Sequence, residues 1–282
     1  MMSSVVAALA VLAAVVSPAG AAAPPGIELE YRRPLGQVAE YRLFIDANGE
    51  QTALEERRPV RLSAELALTE EVIAQGKDGA LWLRVGARAV EVKDPSGTFG
   101  TGKRGDWPEV RVRMTRRGEV LDVSLATGEH RPGMAERSFV SLMAQPAPVI
   151  LPPGRVAVGD EWEWQSGEAR QRSRLVEVSG EGAKRVARIA SESQSPLELA
   201  EASDALGLMT RMSGDVTQRS EVELLLAQGL VARHKGHMDI RTKSEVTLDL
   251  PEGQRTFEMQ SMLKIDFDLR LARIDGQPVE RP

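Results

Sequence analysis

LVARHKGHMDIRTKSEVTLDL, residues 230–250, alternates between two kinds of side chain along its whole length. The even positions are mostly apolar or small, among them Met238 and Ile240, whereas the odd positions are almost all charged or polar. After a Pro-Glu-Gly turn at residues 251–253, the alternation resumes over residues 257–271. A period of two is typical of a strand with one buried face. This stretch therefore predicts a long antiparallel β-hairpin with one apolar face.

The length of this hairpin constrains the fold. At roughly 3.3 Å per residue a strand of ~20 residues is about 65 Å long, whereas a compact domain of this size is only about 45–50 Å across. The hairpin must therefore bend, coil around a core or be broken by bulges, and we expect it to yield at the small residues Gly236 and Ser261. The prediction is a mainly β protein, either a strongly curved antiparallel sheet or a half-open β-barrel, with an apolar concave face.

Much of the remaining chain also has the pattern of strands. Residues 38–47 lead to the turn signal Asn48-Gly49. A shift of the apolar phase near Ala89 and Val90 predicts a β-bulge. Alternating segments that continue the antiparallel meander lie at residues 60–68, 81–87, 110–114 and 121–125.

Two segments have helical signals instead. At about residues 132–145, apolar side chains including Phe139 recur at intervals of three and four, and Pro146 ends the pattern. At about residues 195–206, Ser195-Pro196-Leu197-Glu198 has the layout of a capping box with proline at the first helical position. We expect both helices to cover the apolar face of the sheet as a plug or lid.

The first 23 residues have the layout of a secretory signal peptide. The uncharged apolar run Val5–Val16 is too short to span a bilayer comfortably, and small residues follow it, so that cleavage after Ala21 or after Ala23 fits. Because residues 1–4 include no Lys or Arg, an uncleaved anchor and a misplaced start stay open as alternatives. We expect the mature chain, residues 24–282, to be periplasmic or extracellular.

The composition excludes several classes of protein. The sequence has no cysteine, so we expect neither a bacterial lipid anchor nor a disulfide. Its 36 basic and 41 acidic residues give a net charge of -5, which argues against a nucleic-acid partner. No later apolar run is long enough to predict a transmembrane segment in the mature chain.

The mature chain is predicted to form one antiparallel β domain over residues 24–282. Two parts of it, residues 27–128 and 150–275, are similar in outline, since each places a glycine turn between two strands, at Gly118 and at Gly229. The likeness is either an ancient duplication or what two β-meanders ordinarily have in common.

No pattern of catalytic or metal-binding residues is found. The phosphate-loop-like stretch 97–103 is followed by Arg104 where a hydroxyl is needed. His130 has no serine in a nucleophile-elbow sequence to pair with. His234 and His237, three apart on a strand, point to opposite faces and cannot chelate one ion unless Gly236 is bulged. We therefore expect no catalytic site, no metal and no cofactor.

Residues 151–162, LPPGRVAVGDEW, carry a family resemblance. The stretch resembles the proline-rich start and the V-x-V-G-D-x-W pattern of a group of exported bacterial β proteins of unknown function. That group is similar in architecture to the periplasmic lipoprotein-carrier fold, a half-open antiparallel barrel with helices over its mouth that binds acyl chains. The resemblance implies a fold and a compartment. It transfers no functional residue, because the group has none defined.

Two functions are compatible with these features. The first is a non-enzymatic extracytoplasmic protein that binds or carries a hydrophobic ligand, such as a lipid or an acyl chain, on the concave face. The alternative is a structural or interaction protein of the cell envelope that acts through its surface, on envelope proteins, with the concave face filled by its own side chains. The candidate ligand-binding residues are His234, Met238, Ile240, Met259, Leu263, Ile265, Phe267 and Phe139.

Overall fold

The computed structural model is an antiparallel β structure. It describes residues 26–53, 56–95, 109–126, 147–203, 208–250 and 253–279. Helical structure in these residues is limited to a 3₁₀ turn at Gly182–Lys184, and no helix among them has the length and apolar character needed to cross a membrane. The strands are β1 (Val38–Ala53), β2 (Glu56–Gln75), β3 (Leu81–Lys93), β4 (Val110–Met114), β5 (Val120–Leu125), β6 (Glu161–Ser166), β7 (Ala169–Ser179), β8 (Val186–Ser203), β9 (Leu208–Leu225), β10 (Leu230–Leu250), β11 (Gly253–Ile274) and β12 (Gln277–Pro278).

All 12 strands belong to one sheet. Its order is β5-β4-β3-β2-β1-β11-β10-β9-β8-β7-β6, and the short β12 pairs with β11 off this path. The chain therefore runs outward from the centre in β1 to β5, crosses to the other edge, and returns inward in β6 to β11. Because the edge strands β5 and β6 do not pair with each other, the sheet is open.

The predicted long hairpin is confirmed and lies at the centre of this sheet. Strands β10 and β11 pair without a register shift from Arg233 opposite Arg270 to Leu250 opposite Gly253. Neither Gly236 nor Ser261 is the site of a β-bulge in this pairing, because both positions stay in register. The break in β10 falls instead between Val231 and Arg233, in its pairing with β9.

The predicted bulge near Ala89 and Val90 is confirmed. Glu65 pairs with Glu91 and Leu66 pairs with Ala89, so Val90 is the extra residue in β3. The turn predicted at Asn48-Gly49 is wrong, because β1 continues through both residues to Ala53. Gly49 pairs with Val60 on one side and with Leu263 on the other, and this pairing on both sides overrides the local turn signal.

The helix predicted at about residues 195–206 is wrong. Strand β8 continues to Ser203, and Pro196 lies opposite Asp215 of β9. On the other side of β8, the pairing with β7 reaches only Gln194. Pro196 therefore has no strand partner on that side, and the backbone N–H that proline lacks is not needed there. The capping-box pattern is local, whereas the pairing with β9 runs along the whole strand. The helix predicted at about residues 132–145 lies outside the described residues.

The sheet curls so that its two edges meet at one end, which we call the base. In a flat sheet of this order β5 and β6 would be about 48 Å apart, at ~4.8 Å per strand spacing. Here Trp164 of β6 donates a hydrogen bond from Nε1 to Oε1 of Glu119, which precedes β5, at 3.1 Å. The strands are therefore strongly coiled at the base, as the length of the hairpin predicted.

The base is filled by the protein's own side chains. One hydrophobic cluster joins strands β2 to β4 with β7 to β10 and includes Leu83, Val112, Leu175 and Ile189. Two segments outside the long strands, residues 26–33 and 147–156, contribute further members to it. We call the face of the sheet that lines this cluster the inner face and the opposite one the outer face.

The segment at residues 26–33 is tied to the base by specific contacts. Ile27 pairs with Val156 in an isolated antiparallel bridge. The Tyr31 hydroxyl donates a hydrogen bond to the Val149 carbonyl oxygen at 2.8 Å. Gly229 has φ +60°, and a Cβ there would collide with the backbone of Arg32, so this turn needs glycine both for its conformation and for the close approach.

Candidate functional site

The candidate ligand-binding residues of β10 and β11 form one patch on the inner face. Met238 pairs with Ile265, and Ile240 pairs with Leu263, so their side chains are neighbours. Phe139 lies outside the described residues. The other members lie on the same face, with His234 opposite Leu269, Phe267 opposite Gly236 and Met259 opposite Ser244.

Burial is uneven along the inner face beyond the base, where Ser244 and Val60 are 2% exposed but several apolar side chains are less buried. Leu175 and Ile189, in the base cluster, are 0% exposed. Met238 is still buried, whereas Ile240 and Leu263 are half-buried and belong to neither of the two hydrophobic clusters of the described residues. An apolar surface therefore continues beyond the packed core.

Gly236 shapes the middle of this patch. A Cβ at this position would meet the ring of Phe267 and the side chain of Ser220. The absence of a side chain at Gly236 therefore lets the Phe267 ring lie across β10. The ring also packs edge-to-face with His234, with centroids 4.7 Å apart and an interplanar angle of 65°.

His234 is a neutral polar group at the centre of the inner face. Its Nε2 lies 3.3 Å from the amide nitrogen of Gln218, which acts as donor when the imidazole nitrogen accepts. Burial lowers the pKa of His234 to about 3, while the charge of Asp268 acts in the opposite direction. The ring is therefore an uncharged acceptor at neutral pH.

We expect His234 to stay neutral through the mildly acidic range. Its folded-state pKa of about 3 lies below the ordinary value of about 6.5. The corresponding contribution to stability is complete above about pH 6.5 and is lost as the pH falls towards the folded value. NMR of the imidazole carbons should show no titration of His234 between about pH 5 and pH 8. A midpoint for His234 near the ordinary value would contradict this burial.

A polar half of the inner face was missed by the sequence interpretation. It lies on β7, β8 and β9, beside the apolar patch, and its hydroxyl and amide side chains resemble those of a solvated surface. The signal that could have revealed it is the alternation itself, since these residues occupy the same strand positions as buried apolar neighbours such as Ile189 and Val222. The polar half comprises Gln171, Ser173, Ser191, Ser193, Gln218 and Ser220.

Part of the polar half is internally hydrogen-bonded. The Gln171 amide nitrogen donates to Ser173 Oγ at 2.9 Å, and Ser173 Oγ donates to Ser191 Oγ at 3.1 Å. The Gln171 carbonyl oxygen accepts from the backbone N–H of Ile150 at 3.2 Å. These groups are buried against the segment that closes the base, so they belong to the folded core.

The outer face is charged and differs sharply from the inner one. Cross-strand ion pairs include Arg233 with Asp268 at 2.7 Å and Lys235 with Glu221 at 2.9 Å. Burial alone would raise the pKa of Asp268, but hydrogen bonds from Arg233 and Arg270 lower it to about 2. In these ion pairs, each charged side chain is balanced by an opposite charge on the neighbouring strand.

Two surface hollows, of about 480 and 910 Å³, lie over the outer face. Charged side chains contribute to both linings, with Glu65 and Asp266 in the smaller hollow and Arg172, Arg219 and Lys235 in the larger, and the exposed ring of Phe44 also lines the smaller one. In the part of the chain that the structure describes, no group of three His, Cys, Asp or Glu is placed to hold a metal ion.

Comparisons with known proteins give a structural neighbour and no family. No family model and no curated protein matches the chain. Among solved structures, one of lipid–protein interactions in lipovitellin is similar over 88% of this chain, at 15% sequence identity and a TM-score of 0.40. This chain spans 26% of the length of that one.

Proposed function

We propose that the protein is an exported, non-enzymatic protein that binds a hydrophobic ligand, such as a lipid or an acyl chain, along the inner face of β10 and β11. The observation that carries this proposal is the continuation of apolar side chains beyond the packed base. Ile240 and Leu263 are half-buried there and contribute to neither hydrophobic cluster. A ligand that covered these side chains would gain roughly 25 cal/mol for each Å² of apolar surface removed from water.

The distribution of charge between the two faces also favours the inner face of β10 and β11 as the binding surface. The central strands place ion pairs such as Lys235–Glu221 on the outer face, while the paired residues Met238 and Ile265 face inward. An acyl chain lying on the inner face would therefore meet methionine and aliphatic groups, which adapt to ligand shape.

The proposal predicts that one inward charge disrupts binding. Leu263→Lys places an ammonium on the half-buried inner face, and we expect it to weaken binding of methyl pyrenedodecanoate by at least about tenfold, because the charge would be desolvated beside the ligand. Fluorescence titration of the purified protein measures this binding.

Met262→Lys is the matched control, because Met262 is the preceding residue, points to the outer face and is 52% exposed. It should bind the probe as the unmodified chain does. If all three proteins fail to take up the probe while retaining the same far-UV CD spectrum, the ligand-binding proposal is wrong. The alternative function, an envelope protein that acts through its surface, would then be favoured by the side chains that fill the base.

A further inference from the structure

We infer that the ligand is amphipathic, with an uncharged, hydroxyl-bearing head that lies on the polar half of the inner face. This inference rests on the function proposed above and specifies the class of ligand. The side chains of the inner face are arranged in rows across the sheet, perpendicular to the strands.

Two neighbouring rows change from polar to apolar at the same place. In both, the residues on β7, β8 and β9 carry hydroxyl or amide groups, and the boundary falls between β9 and β10. Since the polar groups of β7 are part of the folded core, the polar side chains that a ligand lying across the strands would reach are the half-buried Ser193 and Gln218, and it would meet the apolar surface within about 10 Å of them, or two strand spacings. The first row is Gln171, Ser193, Gln218, Met238 and Ile265, and the second is Ser173, Ser191, Ser220, Gly236 and Phe267.

The rows contain hydrogen-bonding groups but no charge. None of their residues on β7 to β11 is ionisable, and His234, in the next row towards the base, is an uncharged acceptor. Glu119, at the far edge, accepts a hydrogen bond from Trp164. An ionised head would therefore be removed from water without a charged partner, which costs far more than the burial of a hydroxyl that forms hydrogen bonds.

Hydrogen-bonding capacity remains open at the boundary between the two surfaces. Within the described residues, no hydrogen-bond partner is found for the half-buried hydroxyl of Ser193. Gln218, directly opposite Ser193, uses its amide nitrogen towards Ser220 Oγ at 3.4 Å and His234 Nε2 at 3.3 Å. Its carbonyl oxygen is the acceptor that a ligand hydroxyl would meet. A head with hydroxyl groups could donate to Gln218 and accept from Ser193 at the same time.

Competition between three ligands with the same oleoyl chain tests this inference. Monoolein has two free hydroxyls, methyl oleate has none, and oleate is ionised; each competes with methyl pyrenedodecanoate for the full chain at neutral pH. We expect monoolein to compete at least about tenfold better than methyl oleate, from two additional hydrogen bonds, and oleate to compete least well. Equal competition by monoolein and methyl oleate, or stronger competition by oleate, would overturn the inference while leaving the proposed function intact. Absence of probe uptake would instead reject the proposed function.

A pair of double variants assigns the preference to the polar half. Ser193→Ala with Gln218→Leu removes a cross-strand pair from the inner face, and the preference for monoolein over methyl oleate should fall to within about twofold. Gln194→Leu with Thr217→Ala removes the adjacent pair from the outer face of the same two strands and should leave the preference unchanged. Retained binding of methyl oleate shows that each variant is folded. An unchanged preference in the inner-face variant would overturn the inference.

Discussion

Replacing Arg33 by alanine is expected to lower the free energy of unfolding by about 3–5 kcal/mol, because the buried carboxylate of Glu70 is left without its partner. The two side chains are 3% and 9% exposed, and Arg33 Nη1 donates to Glu70 Oε2 at 2.6 Å. The same guanidinium donates from Nη2 to the Glu70 carbonyl oxygen at 3.1 Å. This pair joins the segment that fills the base to strand β2. Chemical denaturation followed by far-UV CD measures the change.

Arg58→Ala is the control for this prediction. Arg58 and Glu56 form an ion pair at 2.8 Å whose side chains are 74% and 68% exposed, so its loss should cost no more than about 0.5 kcal/mol. If Arg33→Ala costs no more than this control, the segment that carries Arg33 does not hold the base together as described.

The cost of Arg33→Ala should also depend on pH. Burial raises the pKa of Glu70, while Arg33 acts to lower it. A carboxyl with a raised folded-state pKa favours folding at low pH, and this contribution is lost as the pH rises through that pKa. Without Arg33 the pKa of Glu70 rises further. The loss of stability caused by Arg33→Ala should therefore be largest at neutral pH and should shrink at mildly acidic pH. Denaturation at both pH values tests the sign.

Two leucines on the same face should respond very differently to alanine. Leu175→Ala removes a side chain that is 0% exposed in the base cluster and should cost about 2–5 kcal/mol, because the surrounding core cannot collapse into the cavity. Leu263→Ala should cost less than about 1 kcal/mol, since Leu263 is half-buried beyond the packed core. Equilibrium denaturation of both variants gives the comparison. Equal losses would mean that the inner face is packed as densely at Leu263 as in the base.

The central hairpin could be predicted from sequence because its signal is local and repeated. Each residue of β10 contributes to the same period of two, and the single extra residue Val90 shifts that period visibly in β3. The helix expected from the capping-box pattern at Ser195 failed for the converse reason. That pattern covers only a few residues, whereas β9 offers β8 a partner along its entire length.

The base and the polar half of the site could not be derived in the same way. The Arg33–Glu70 pair joins residues 37 apart in sequence, and neither residue type signals burial. Ser193 and Gln218 have side chains typical of solvated strands, so only the register of β8 against β9 shows that they face inward together. Topology, rather than local pattern, determines both features.

Native mass spectrometry tests the central claim most directly, namely that the inner face of β10 and β11 holds a hydrophobic ligand. The purified chain, stripped of lipid and then incubated with monoolein, should gain the mass of bound lipid at a low whole-number ratio, and Leu263→Lys should gain little while Met262→Lys gains as much as the unmodified chain. Absence of bound lipid in the unmodified protein, or equal loading of the two lysine variants, would contradict the account.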